Sequence, residues 1–402
     1  MKLTIDPQDL ADAVAWSVQN YDAKDTQSYV ALTVERDSGT ASLTHVNQVS
    51  HMRAPLPISD LEFEEGEDED SYSIPLDGPY LKNLAGVVKR MGLKELVLSK
   101  KLTKKNDPLK VKSDRQSFTV PVLMVETRKS PALTNLGEAN DFEFFGALQR
   151  LAKLCTLASA DAGAATGAVA VKFGDKKLTL MGTDSYSLGE VILDYEPNGK
   201  ELKEFSEKAA NGATVLVPRA AALTVKPSRG ATDTVELVYD AKGKKFGYRF
   251  DDGRIALFSL DQSTPTIYET LKTNVIDASD ASVDLPLVDL TRAIDAIASL
   301  SPEDLDVDVK IDGTKKRKKF VVSDSKKSNV IELEVEGMDF DGEVDLSFFR
   351  DVISKSLVPV TGGTIRIFFA SDGPQMVVIR KLKEEDGKID KSIFSLAIIA
   401  TS

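Results

Sequence analysis

MKLTIDPQDLADAVAWSV, residues Met1–Val18, reads as a short alternating strand that runs into an amphipathic helix, and the same device returns twice further along the chain. Asp6-Pro7 marks the join. An aspartate is a good N-cap, and proline suits the first helical position, where its missing N–H has no partner to lose. Asn140–Cys155, NDFEFFGALQRLAKLC, and Ala281–Leu300, ASVDLPLVDLTRAIDAIASL, repeat the pattern. Leu287, Leu290, Ile294 and Ile297 form one helical stripe, and Phe145, Leu148, Ala152 and Cys155 another.

The segments after these three openings also repeat. A hairpin comes first: Ser38–Leu56, then Gly174–Leu193, then Lys318–Glu336. A strand running into a second helix comes next: Ser71–Met91, then Ala213–Ser228, then Gly342–Leu357. Three more strands close each copy, and one third of 402 residues, 134, matches the spacing of the copies. The expected fold is therefore α+β, with three tandem sheet-rich domains of two helices each, at 1–133, 134–276 and 277–402. Polar and turn-forming residues mark the joins near Ser130–Gly137 and Asn274–Ser282.

Composition narrows the function. Hydrophobic residues make up 42% and charged residues 28% of the chain, ordinary for a folded soluble protein, and no apolar run approaches the ~20 residues that span a bilayer. The N-terminus has no continuous apolar core of the signal-peptide kind, so a cytoplasmic location is expected. A single cysteine, Cys155, reads as a small core residue. The two histidines, His45 and His51, share a hairpin with no metal-spaced neighbours. With 63 acidic and 51 basic residues the net charge is -12, which argues against nucleic-acid binding by bulk charge but leaves room for a locally basic surface. The acidic run Asp60–Asp70 and the basic run Lys315–Lys319 read as solvated loops or hairpin tips. No phosphate loop, nucleophile elbow, zinc-protease helix or dinucleotide fingerprint is present, and Asp251-Asp252 reads as a hairpin turn. No enzyme activity, cofactor or metal is expected.

The second hairpin turns at Thr183–Glu190, TDSYSLGE. With the three repeats, the opening MKLTIDPQDLADAV, Val217-Pro218-Arg219 and Pro265 of QSTPTIY, this turn carries a resemblance over essentially the whole chain. The sequence resembles the bacterial DNA polymerase III beta subunit, the sliding clamp, whose turn typically reads Thr-Asp-Gly-His-Arg-Leu. The resemblance implies a head-to-tail homodimeric ring of six domains, helices lining the hole, that encircles duplex DNA and holds a polymerase on it.

Residue by residue, the resemblance implies a partner-peptide pocket between the second and third domains. It would be built from Ala168, Thr183, Ser185, Tyr186, Ser187, Leu188, Pro265 and the C-terminal strand from Leu396 through Ala397, Ile398 and Ile399 to Ser402. Polymerase and clamp loader are the implied peptide partners. At the ring joint it implies Phe118 and Val120 against Ile297 and Leu300, and an internal-core reading of both pairs stays open. Two departures stand out: Tyr186-Ser187 replaces His-Arg, and LAIIATS replaces a Met-Pro-Met-Arg-Leu type of ending. Together with the acidic first domain, they fit a phage-encoded or otherwise divergent clamp.

A DNA-lined hole requires cations on the outward faces of the helices. Lys82, Lys89 and Arg90 lie opposite the stripe Leu81, Leu84, Ala85, Val88; Arg150 and Lys153 lie away from Phe145 and Leu148; Arg219 and Lys226 are seven apart; Arg292, Arg350 and Lys355 complete the set. Such a lining would bind duplex phosphate weakly and without sequence preference. A clamp-like scaffold or decoy that binds proteins but does not encircle DNA is the alternative.

Overall fold

The structure is a computed structural model of the 402-residue chain. It describes all residues except 20–27, 48, 105, 115, 129, 157–165, 209–211, 226–232, 261–268, 315–317, 373–374 and 400–402, and only the backbone of 269–271. The described residues form eight helices: α1 Pro7–Ser17, α2 Gly78–Met91, α3 Asp141–Leu154, α4 Gly199–Lys208, α5 Arg219–Thr224, α6 Glu269–Ala278, α7 Leu287–Leu300 and α8 Arg350–Leu357. The remainder is antiparallel sheet, so the class is α+β.

The order strand, helix, three strands, strand, helix, three strands runs three times along the chain. Short additions interrupt it: the strands Asp60–Glu62 and Gly337–Asp339, and the helices α4 and α6. Local chemistry sets the helix starts. Asp6 accepts from Gln8 N at 2.6 Å and Asp77 from Tyr80 N at 2.7 Å, and both helices take proline in their first turn. Asn140 caps α3 through Glu143 N.

Two added helices were not legible. Glycine and charge fill α4, which is anchored by Phe205 against Phe173. The Asn274–Ser282 stretch, expected to be irregular, is the end of α6 and the start of the strand Ala281–Pro286. Within the acidic run, Asp60–Glu62 is a strand and Glu67 is buried, accepting from Glu64 N and Leu102 N at 2.9 Å each, so that run is not wholly a solvated loop. Of the basic run, 315–317 lie outside the described residues, and Lys319 pairs with Glu332 at 2.6 Å. Asp252 accepts from Arg254 N in a tight turn, as Asp251-Asp252 suggested.

The described residues fall into two compact units. The first takes Met1–Glu138, Asn198–Leu202 and Thr232–Leu260. It holds one sheet in the order Asp60–Glu62, Lys2–Ile5, Leu96–Ser99, Leu109–Ser113, Gln116–Val120. A second sheet runs Ser71–Leu76, Tyr29–Glu35, Thr40–Val46, Ser50–Leu56, Ile255–Ser259, Lys245–Phe250, Thr234–Asp240. Trp16 of α1 ties the two ends of this sequence together: its indole N–H donates to Ile255 O at 3.3 Å, and the Arg254 guanidinium lies 4.5 Å over its ring.

The second unit takes Ala139–Pro197, Lys203–Ala231 and Asp261–Ser402. Its long sheet runs Thr214–Pro218, Ala168–Phe173, Lys177–Thr183, Ser187–Pro197, Ile393–Ile398, Met376–Lys381, Thr364–Phe369, Ala281–Pro286, Gly337–Asp339. Strands far apart in sequence meet in the middle, with Leu188 opposite Leu396 and Ser187 opposite Ala397. A smaller sheet orders Val330–Leu333, Lys319–Ser323, Asp306–Asp312, Glu343–Phe349. Helices α7 and α8 cover the core of this half with Leu290, Ile294, Ile297, Val352 and Ile353.

Candidate functional site

The turn Thr183–Leu188 is held by its own side chains. Thr183 Oγ1 donates to Ser187 O at 2.8 Å and accepts from Ser185 N at 3.1 Å. Asp184 Oδ1 accepts three bonds, from Tyr186 N at 3.1 Å and from Ser187 N and Oγ at 2.8 Å each. The other carboxylate oxygen accepts from Lys355 Nζ of α8 at 3.0 Å. Burial works to raise the Asp184 pKa, but the bonds from Ser187 and Lys355 outweigh it and hold the carboxyl below its ordinary value. Ser185 sits at φ +80°, in the left-handed region that favours glycine. Tyr186 is 56% exposed at the apex, and its carbonyl accepts from Ile398 N at 3.0 Å.

Beside the turn lies an apolar sheet face inside the second unit. Ala168, Ala170, Met181, Leu188, Leu216, Val378, Phe394 and Leu396 form it and are themselves buried, while Met376 and Ile398 at its border are partly buried. Strand parity decides who belongs. Leu396 and Ile398 join Leu188 on this face, whereas Ala397 and Ile399 alternate to the other side and pack in the core beneath α7 and α8. Those two are therefore removed from the cleft lining expected from the sequence. Pro265 lies outside the described residues.

One end of the face is charged, which the sequence reading missed. Glu190, 3% exposed, accepts from Lys272 of α6 at 2.6 Å; Lys272 and Arg380 lie 5.3 Å and 4.8 Å from the Phe394 ring centroid. Val275 of α6 packs against the same face. A glutamate two residues after Leu188 on a strand was the available sign, since parity puts both on one side.

The cations expected to face DNA divide into two sets. Lys82, Lys89 and Arg90 of α2 are exposed opposite the buried Leu81, Leu84, Ala85 and Val88; Lys153 and Arg292 are also exposed. The others are engaged or withdrawn. Arg219 Nε donates to Ala152 O at 3.0 Å, closing the last turn of α3. Arg350 lies 3.4 Å and 3.5 Å from the carbonyls of Ser301 and Pro302, just past α7. Lys355 is paired with Asp184 and Asp351, and Arg150 is half-buried, burial lowering its pKa. Lys226 lies outside the described residues.

Of the residues expected at the ring joint, Val120 (0% exposed) and Ile297 (1%) are core residues of the chain itself and are closed to a partner. Phe118 is half-buried on the free outer strand Gln116–Val120, and Leu300 is 62% exposed at the end of α7. Cys155 is buried against the carbonyls of Leu151 and Ala168, and burial pushes its thiol up to about 11, as befits a packing residue. Among the described residues no helix is long and apolar enough to cross a membrane, and no three His, Cys, Asp or Glu side chains stand together as metal ligands.

No family model and no curated protein sequence matches the chain. Solved structures do. The DNA polymerase III subunit beta of Pseudomonas aeruginosa superposes with a TM-score of 0.77 at 14% identity over all of both chains. The DNA polymerase sliding clamp of Bacillus subtilis gives 0.76 at 14% identity, over all of this chain and 99% of that one. A Helicobacter pylori beta clamp bound to a DNA ligase peptide gives 0.72 at 14% identity over the whole of both. At this identity the likeness establishes the fold, which is that of the bacterial sliding clamps.

Proposed function

We propose that this chain is a DNA sliding clamp. Two copies close head to tail into a ring that encircles duplex DNA without reading its sequence and tethers a replicative polymerase. Partner peptides dock beside Thr183–Leu188, where the exposed Tyr186 and the partly buried Met376 and Ile398 border the buried apolar face. The observation that carries this reading is the end-to-end match of the threefold element order to the clamp fold, with an apolar face beside the turn that marks the family. In this reading the domains are 1–133, 134–276 and 277–402, and the role is cytoplasmic and non-catalytic.

Charge supports it in part. Lys82, Lys89, Arg90, Lys153 and Arg292 have no ion-pair partner among the described residues and stand on outward helix faces of a chain whose net charge is -12. A small set of such cations suits weak, sliding contact, in which phosphate binding falls steeply with salt. Ring closure has candidates in two uncovered sheet edges, Gln116–Val120 with Phe118 and Val330–Leu333 with Val330 57% exposed. An open edge presents unpaired backbone groups that a second chain can satisfy. At the border of the apolar face, a peptide's aliphatic or aromatic anchors are the natural occupants, and the Helicobacter pylori clamp is bound to a DNA ligase peptide.

The competing reading, a clamp-shaped scaffold that does not encircle DNA, draws on the engaged state of Arg219, Arg350 and Lys355. Retention on DNA decides between them. A clamp loaded by its loader stays on closed circles and leaves linear molecules by their ends; equal loss from both would sink the ring. Tyr186→Ala, at the exposed apex of the turn, should weaken peptide binding in a folded protein, and intact binding would move the pocket elsewhere.

A further inference from the structure

Helix α8 touches both strands that bound the apolar face, through consecutive residues. The Lys355 ammonium lies 3.0 Å from Asp184 Oδ2 and 2.7 Å from Asp351 Oδ2, and the Asp184 side chain is only 6% exposed. Since Asp184 Oδ1 receives the amides of Tyr186 and Ser187, fixing Oδ2 fixes the plane of the carboxylate that organises the turn. At the next residue, the buried Ser356 offers its carbonyl to Ser395 Oγ, and Leu188 O lies 3.2 Å from the same hydroxyl. Ser395 pairs with Gly189 across the strands Ser187–Pro197 and Ile393–Ile398. A Cβ on Gly189 would lie 2.5 Å from Pro359, just beyond α8, so the strand rests flush on the end of the helix.

We infer that Lys355, with Ser356 behind it, is a positioning residue for the Thr183–Leu188 rim and not a contact for DNA phosphate; the inference rests on the peptide-docking reading for its functional consequence. Two carboxylates already surround this ammonium. A phosphate would have to displace the pair with Asp184, leaving a buried carboxylate without its cation, which is costly. Burial works against the charge of Lys355, yet Asp351 and Asp184 hold its pKa above the ordinary value, so the pair stays ionised across neutral pH. With the ammonium removed, Asp184 keeps its amide bonds but loses its anchor on the helix. The rim then spends less time in its binding shape, and apparent peptide affinity falls in proportion to that fraction.

The test uses the full chain with Lys355→Met, Asp184→Asn, which keeps an acceptor at Oδ1, and the double variant. Three quantities are read: amide exchange at Tyr186 and Ser187 without ligand, the Kd for a labelled DNA ligase peptide, and the salt slope of duplex DNA binding. Lys355→Met should speed exchange at the two amides and weaken the peptide, each about tenfold, which corresponds to about 1.4 kcal/mol. In the Asp184→Asn background it should add little, and the DNA salt slope should not change. Unchanged exchange, additive effects, or a slope reduced by about 0.9, the signature of one lost phosphate contact, would each overturn the inference. A wild-type chain that ignores the peptide would refute the docking reading alone, because the exchange measurement still decides whether Lys355 holds the turn.

Discussion

Gly182→Ala should loosen the sheet behind the turn far more than Gly189→Ala, although the two glycines face each other across the same pair of strands. A Cβ at Gly182 would lie 2.5 Å from Leu151 O and 3.1 Å from its carbonyl carbon, both backbone atoms in α3. An ordinary carbon–oxygen contact of about 3.3 Å requires the helix to retreat by about 0.8 Å. That retreat strains Cys155 and Arg219, which bond carbonyls at this end of α3. At Gly189 the atoms met are Pro359 Cγ, Leu154 Cδ1 and Leu151 Cδ2, none of them backbone: the two leucine methyls can turn aside and the proline ring can change its pucker. Overpacking costs about 1–3 kcal/mol; the backbone clash belongs at about 3 and the side-chain clash at about 1. Hydrogen exchange over 177–197 is the suitable assay, because a chain of this size need not unfold in one step. At 1.4 kcal/mol per factor of ten, exchange should accelerate about 100-fold in Gly182→Ala and about fivefold in Gly189→Ala. Equal effects, or the reverse order, would refute the contact reasoning.

Three further outcomes are expected. His51, 6% exposed, has its pKa lowered to about 3 by burial and by Lys245, Arg53 and His45, so the unfolded chain binds a proton below pH 6.5 that the folded chain refuses. Its contribution to stability is full above pH 6.5 and is lost progressively toward pH 3, about 2 kcal/mol of it between pH 7 and pH 5; His51→Gln should flatten that part of the melting-temperature profile, and an unchanged profile would refute the assignment. Phe118→Asp should yield folded monomers in sedimentation, whereas Val120→Asp, which buries a charge in the core, should lower the melting temperature; a Phe118→Asp chain that sediments as a dimer would remove this strand from the ring joint. Replacing Lys82, Lys89 and Arg90 together by glutamine should reduce the salt slope of duplex binding by up to about 2.7 and leave melting unchanged; Arg350→Gln should lower melting and leave the slope alone.

Periodicity was the strongest signal in the sequence, and it carried the elements built on it. Asp6-Pro7, Asp77 with Pro79, and the stripes of α2, α3 and α7 all specify their helices through contacts within a few residues, so one strand of text suffices to read them. The turn at Thr183–Leu188 was equally legible, since its bonds run among Thr183, Asp184 and Ser187. Helix α4 was not, because its amphipathic pattern reduces to little more than Phe205, whose partner Phe173 is distant in sequence.

The chain by itself thus determined the threefold order of strands and helices, the buried stripes of α2, α3 and α7 and the shape of the turn, all set by neighbours in sequence. Tertiary structure decided which charges are free. Lys355 and Lys89 look alike as cations on outward helix faces, yet only the meeting of α8 with a turn 171 residues away pairs one with Asp184 and leaves the other in solvent. The same holds for the apolar face. Leu188 and Leu396 become neighbours only through strand pairing, and the register of that pairing sends Ala397 and Ile399 to the opposite side. An alternation of two residues gives each strand two faces, but which face meets a partner is settled by the energy of packing both sides at once.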